Sequence, residues 1–262
     1  MINLQNTKIH TEWIQQVRNS LCNYGYHYEP NFCKETNNAK PIIKAAKLLG
    51  TVLTSSQIIQ DDQVLITQPS TSAKQSHPFD RHEPIGWHND FSTCAKSPEL
   101  SLSWIRQEDM VQPYGGAWRV ASAAEILSKL CQTKTGKQLV KELSEKGEPF
   151  GYRATSKWRT FRIITRINSS SNNRGLRFYG RPIREGAYLK FGKIPNRTRD
   201  IIFQVQEAAD AVGEVLSAST GSLLIVHNRL SLHDRLEQQV TGPKHLRRQA
   251  YLCFVKKLYQ PL

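Results

Sequence analysis

The chain of 262 residues is short of several features, and each shortage closes a class of protein. Its 5 Cys, at positions 22, 33, 94, 131 and 253, are odd in number, scattered and without a Cys-x-x-Cys pair. That excludes a disulfide framework and a thiolate zinc site and leaves reduced thiols as the expectation. The longest apolar stretches, such as GSLLIV at 221–226, fall far below the roughly 20 residues a spanning helix needs. The opening MINLQNTKIHTEW has neither the basic start nor the apolar run of a secretory leader, so a cytoplasmic protein is expected. There is no internal repeat and no long low-complexity tract. Acidic residues are scarce where basic ones are dense: between 151 and 199 Glu185 is the single acid.

What is present is an ordinary globular composition, 39% hydrophobic and 22% charged, enough for a sizeable core. A single domain over 1–262 is expected, with a helical part at 1–55 and an insertion with helices at 106–220 around a β core. Lys and Arg number 36 against 22 Asp and Glu, a net +14. Residues 1–150 are nearly balanced at +1, whereas 151–199 alone carry +12. Such a segment faces an anionic small molecule, a nucleic acid or an anionic membrane surface, or serves as a solvated basic face.

Hydrophobic spacing predicts helices at 11–22, with Thr11 as N-cap, and at 40–53, 122–143 and 198–216. Strands are predicted at 61–67, 100–105, 159–167, 222–226 and 250–255, with polar loops at 68–84 and 168–173 and a Tyr114-Gly115-Gly116 turn. Strands interrupted by helices and ending in β point to an antiparallel barrel or sandwich decorated with helices, rather than a doubly wound parallel sheet.

The most telling local sequence is GWHNDF, 86–91. In an extended backbone, residues two apart share a face, so His88 and Asp90 can offer an imidazole nitrogen and a carboxylate oxygen to one cation. One more His completes a 2-His-1-carboxylate facial triad, the site type of non-haem Fe(II) oxygenases. Downstream, the stretch VHNRLSLHDR at 226–235 supplies two, His227 and His233.

The context resembles the taurine dioxygenase and clavaminate synthase-like group of Fe(II)/2-oxoglutarate-dependent oxygenases. In that group a Trp-His-x-Asp segment precedes a Pro-containing stretch, an apolar strand, a Gly-Gly turn and a helix. Here the corresponding run is WHNDFSTCAKSPELSLSWIRQEDMVQPYGGAWRVASAAEIL from Trp87, and HNRLSLHDR resembles the group's distal block. The resemblance spans about 45–258 in three ordered blocks. It implies a mainly β fold with α decorations, a double-stranded β-helix (jelly-roll) core. It also implies that His88, Asp90 and His233 are the catalytic metal ligands for Fe(II), with 2-oxoglutarate as cosubstrate and O2 as oxidant. With Asp90 present no ligand position is vacated for a halide, so hydroxylation is the implied outcome, with desaturation or ring formation as variants. The cosubstrate's distal carboxylate is implied to meet an Arg on the last core strand, Arg248, with Arg247 as the alternative. Planar guanidinium is suited to it by two parallel hydrogen bonds.

Three departures from the group's pattern stand out. Ala117 follows the Gly-Gly turn where many members have Thr. Leu252, or Tyr251 if Arg247 is the anchor, stands where several have a second Arg. Asp234 replaces the usual small residue after the distal His, as a partner that orients an imidazole or as a surface charge. The segment RGLRFYGRPIR, 174–184, alternates cations with aromatics. Arg177, Tyr179 and Arg181, with Trp118, are the expected contacts of an anionic small-molecule substrate. The competing expectation is a basic protein that binds or modifies nucleic acid on the same scaffold.

Overall fold

The computed structural model describes residues 7–35, 37–54, 64–69, 81–111, 115–167, 174–240, 243–260 and 262. The predicted loop at 168–173, most of that at 68–84 and Tyr114 of the predicted turn lie outside them.

The N-terminal part consists of α1 (Thr7–Tyr24), β1 (Tyr26–Glu29), α2 (Lys40–Leu49), β2 (Gly50–Val52) and β3 (Leu65–Thr67). Next come β4 (Leu100–Gln107), β5 (Trp118–Ser122), α3 (Ala123–Leu130) and α4 (Lys134–Glu145). The basic region forms β6 (Gly147–Tyr152), β7 (Lys157–Arg162), β8 (Ile164–Arg166), β9 (Arg174–Leu176) and α5 (Gly180–Phe191). Then follow α6 (Asn196–Val212), β10 (Glu214–Leu216), β11 (Leu223–His227), β12 (Ser231–Arg235) and β13 (Gln249–Leu258).

Two antiparallel sheets form the centre. The larger runs β1-β11-β4-β13-β2, with β3 also on β13, and the smaller runs β10-β5-β12. Ile105, Leu224, Val226 and Ala250 from the large sheet meet Trp118 and Val120 from the small one. The large sheet's other face carries Leu100, Leu102, Trp104, Tyr251 and Cys253, which pack on Trp13, Val17 and Leu21 of α1 and Ile42, Ala45 and Ala46 of α2. The small sheet's other face is covered by α3, α4 and α6 through Ala121, Leu232, Ile126, Leu143, Ile201 and Val205. Both faces of β4 are therefore covered, and the Leu/Trp face of LSLSWI turns toward the helices. Its Ser101 and Ser103 turn inward to a cavity.

Several element boundaries differ from the predictions. The helix read at 198–216 ends at Val212, because Gly213 precedes β10, whose Val215 pairs with Arg119. The helix read at 40–53 ends at Leu49, where the chain becomes β2 against β13. The helix read at 122–143 is two helices, broken at 131–133, where the Thr133 hydroxyl caps α4 by accepting from Gly136 N at 2.9 Å. The first helix begins at Thr7, so Thr11 lies inside it rather than capping it. Arg181 and Arg184 lie on α5, not in a turn.

Candidate metal centre and its cavity

The residues around His88 alternate as an extended chain should. Trp87 and Asn89 point to the helix-covered side, His88 and Asp90 to the cavity. The Trp87 indole donates to Asp210 Oδ1 at 2.8 Å, and the Arg119 guanidinium lies 4.7 Å from its ring centroid. Asn89 donates to Ser231 O at 2.7 Å and accepts from Phe178 N at 2.7 Å, tying the segment to strands on either side. His88 N donates to His233 O at 2.9 Å and His233 N to His88 O at 3.0 Å, so the two imidazoles lie directly across from each other, with centroids 4.3 Å apart. Asp90 N donates to Asn228 Oδ1 at 3.2 Å, while Asn228 Nδ2 donates to Pro98 O at 3.1 Å and Ser101 Oγ at 2.9 Å.

Ligand atoms of His88, Asp90 and His233 all lie within 4.8 Å of one another. His88 Nε2 is 3.6 Å from Asp90 Oδ1, and His233 Nε2 is 3.5 Å from Asp90 Oδ2. These separations are too long for strong hydrogen bonds. His88 Nδ1 is 2.8 Å from Gly86 O, and if it donates there, the neutral ring turns the lone pair of Nε2 toward the carboxylate. Two electron-pair donors facing an anion need a proton or a cation between them. At His88 burial opposes the charged form, but Asp90 raises its pKa above the usual value. Burial and the neighbouring His88 lower that of His233. Burial works against ionised Asp90 too, yet the two imidazoles hold it well below the ordinary carboxylate range. The donor set and its spacing fit a metal of the 2-His-1-carboxylate class.

The surrounding cavity, about 550 Å³ with its mouth, is lined by these three residues and by Ser101, Trp118, Leu252 and Phe254. Two arginines also reach it, and they differ in kind. Arg235 is committed to the backbone, donating to Arg81 O, Glu83 O and Leu236 O at 3.0, 2.9 and 2.7 Å. Arg248 is 4% exposed, its Nε has no hydrogen-bond partner, and its guanidinium lies 5.9 Å from the Trp118 ring centroid. Burial, and secondarily Arg235, push its pKa down to about 9, so it remains a cation at neutral pH. A buried cation without a partner is costly unless an anion joins it. Arg248 lines the cavity together with Leu252 and Phe254, whereas Arg247 donates to Pro69 O at 3.2 Å. The turn of Gly115-Gly116 makes room for it: Gly116 has φ +64°, and a Cβ there would sit 2.4 Å from Arg248 Cδ.

Of the four expected substrate contacts, Trp118 lines the cavity. Tyr179 bridges to His88 across the small sheet, ring centroids 5.1 Å apart. Arg181 is paired with Glu185 at 2.9 Å. Arg177 is buried and structural in its contacts: it donates to Ser92 O at 2.9 Å and Cys94 O at 2.6 Å, and it sits 4.3 Å from the Phe161 ring centroid. His227 is not with the trio; it sits at the end of β11, where its Nδ1 accepts from Arg229 N and Leu230 N.

Sequence reasoning named Asp234 in the frame that holds the trio but missed Arg119 and Asn228. Asp234 is fully buried and accepts from Gly86 N at 2.8 Å and from Arg119 at 2.6 and 3.1 Å, and Arg119 also reaches Asp210. It is neither a surface charge nor bonded to an imidazole: it fixes the Gly86 turn, whose carbonyl meets His88. Asp234→Ala is expected to weaken metal binding about 10–100-fold. It should also destabilise the fold by about 1–3 kcal/mol through the unsatisfied donors. Mn(II) titration and chemical denaturation of the variant measure the two effects.

No protein-family model and no curated protein matches the sequence. The fold, however, is one shared with solved oxygenases that depend on iron and α-ketoglutarate, which is 2-oxoglutarate. Asparagine oxygenase, solved with Fe(II), (2S,3S)-3-hydroxyasparagine and succinate, superposes with a TM-score of 0.73 at 13% identity, over 94% of this chain and 79% of its own. PvcB from Pseudomonas aeruginosa gives 0.65 at 13%, over 92% and 79%. OrfP, solved with Fe, succinate and (3S)-hydroxy-L-Arg, gives 0.60 at 12%, over 95% and 82%.

Proposed function

We propose that the protein is a mononuclear Fe(II)/2-oxoglutarate-dependent oxygenase, a single domain with a jelly-roll core, that hydroxylates or desaturates an anionic small molecule. The observation that carries this reading is one cavity holding both the His88–Asp90–His233 trio and the buried cation of Arg248. The shared fold and the iron, succinate and α-ketoglutaric acid found with its structural neighbours support it.

In this reading His88 Nε2, one Asp90 oxygen and His233 Nε2 hold Fe(II), and Arg248 receives the distal carboxylate of 2-oxoglutarate. When bound, the iron and cosubstrate supply the oxidising chemistry, with O2 consumed and succinate and CO2 released. The chain supplies aim and exclusion. Gly86 O and Asp234 fix the imidazole of His88, Asn228 fixes the backbone at Asp90, and Leu224, Val226 and Phe254 keep the cavity apolar around the reacting groups.

The direct test is succinate release dependent on both Fe(II) and 2-oxoglutarate, screened over anionic amino acids, sulfonates and phosphonates. Metal affinity has an expected pH dependence. Asp90 raises the pKa of metal-free His88, so a metal must displace a proton there. Affinity should therefore rise with pH through and beyond the ordinary imidazole range, and fall by about 10-fold per unit for each proton displaced at lower pH. Mn(II) titrations between pH 5.5 and 8 check the slope; a flat profile contradicts it.

One observation favours nucleic acid as a second partner. Trp158, Tyr188 and Phe191 are exposed on the basic region, with Lys190 near Trp158 and Phe191 and Arg153 on Tyr188. Binding of that kind would weaken steeply with salt and ignore His88→Ala.

A further inference from the structure

A second, larger opening lies beyond the metal trio. It measures about 1630 Å³ counting its open mouth, and Phe91, Lys96, Arg177, His227, Arg229 and Lys256 form part of its wall. Phe91 directly follows Asp90, and its ring meets that of Phe254 edge-on at 5.1 Å. Phe254 lines the inner cavity, so this aromatic pair is a shared wall between the cleft and the trio.

The cleft's charge is one-sided. Among the described residues, five cationic side chains, Lys257 among them, share the lining with one acidic side chain, Glu99, whose carboxylate already accepts from Leu258 N at 2.7 Å. The cations are not equivalent. Arg177 is spent on the carbonyls of 92 and 94 and so shapes the wall. Lys96, Lys256 and Lys257 are exposed. Arg229 is half-buried, burial lowers its pKa with only Glu99 opposing, and no described group accepts a hydrogen bond from its guanidinium. Its backbone is fixed, since its carbonyl accepts from Leu176 N at 2.8 Å. Beside it, burial holds His227 down to about 4, so that ring is neutral at pH 7. With Nδ1 accepting from two backbone N–H groups, its Nε2 carries the hydrogen and is a donor. A partly desolvated guanidinium on a fixed backbone, with a neutral donor and an exposed lysine on the same cleft wall, is the equipment for one oxyanion.

Resting on the oxygenase reading, we infer that this cleft holds the oxyanion of the substrate, a carboxylate, sulfonate or phosphate, with Arg229 as its fixed partner and Lys256 as a second cation, and directs the rest of the substrate past Phe91 toward Asp90. Arg229, rather than Arg177 or Arg181, is then the residue that selects for negative charge.

The test uses the 15N-labelled full chain with inorganic phosphate, sulfate and acetate as probes, followed by the arginine Nε–Hε NMR signals. The signal missing from Arg229→Gln identifies the residue. It is expected to shift saturably with at least one probe, and Lys256→Gln should weaken that binding up to about 5-fold. For any anionic compound that stimulates succinate release, Arg229→Gln should raise KM about 10–100-fold with a much smaller change in kcat. A silent Arg229 signal with all three probes, or an unchanged KM, overturns the inference. Mn(II) binding by the same sample is scored separately. Its absence sinks the oxygenase reading, whereas a silent Arg229 beside intact Mn(II) binding sinks only the cleft assignment.

Discussion

Asp90→Ala is expected to weaken Mn(II) or Fe(II) binding by more than about 100-fold and to abolish succinate release. Even partners that merely orient a ligand cost 10–100-fold when removed, and Asp90 is the trio's sole anion. The fold should survive, because the bond that ties this position to Asn228 uses the backbone N–H. An independent readout comes from the metal-free protein. Asp90 is what raises the pKa of His88 against burial, so without it burial dominates and the His88 titration moves below that of an ordinary imidazole. A His88 titration that stays put in the variant, or metal affinity within a few fold of wild type, would mean that the three side chains do not act as one site.

The second large effect belongs to Arg248. Arg248→Met removes a buried cation whose Nε has no hydrogen-bond partner, so the cosubstrate-free protein should be no less stable than wild type. Binding of 2-oxoglutarate, in contrast, should weaken about 30-fold or more, the cost of truncating one member of a buried charge pair. The thermal stabilisation that 2-oxoglutarate confers on the wild-type protein should vanish with it. Arg247→Met is the control: its guanidinium is turned to Pro69 O, and cosubstrate affinity should change little. Calorimetry and thermal melts on the two variants separate the outcomes, and equal losses in both would remove Arg248 from its assigned role.

The sequence made the ends of this site legible and hid its middle. His88 and Asp90 could be paired because a two-residue spacing in an extended chain has only one geometric meaning, and the alternation of Trp87 and Asn89 on the opposite side agrees with it. His233 needed the resemblance, since His227 lies only six residues earlier and spacing alone favours neither. The choice between Arg248 and Arg247 turns on one residue of strand register, and Arg248 is the one that lines the cavity with Leu252 and Phe254. Asp234, Arg119 and Asn228 were opaque because their roles depend on partners more than 100 residues away. Arg177 shows the reverse. It sits in a run of cations and aromatics that suggested a ligand, yet its donors close on the carbonyls of 92 and 94. Helix ends misread at 49 and 212 share one cause: apolar residues of a following strand extended the helical pattern through a glycine.

The most direct test is an anomalous-difference map at the iron edge from crystals soaked without oxygen in Fe(II) and 2-oxoglutarate. The expected result is one peak at about 2 Å from His88 Nε2, an Asp90 oxygen and His233 Nε2, with the distal carboxylate of 2-oxoglutarate on Arg248. Iron bound elsewhere, or none between these three side chains, would contradict the assignment.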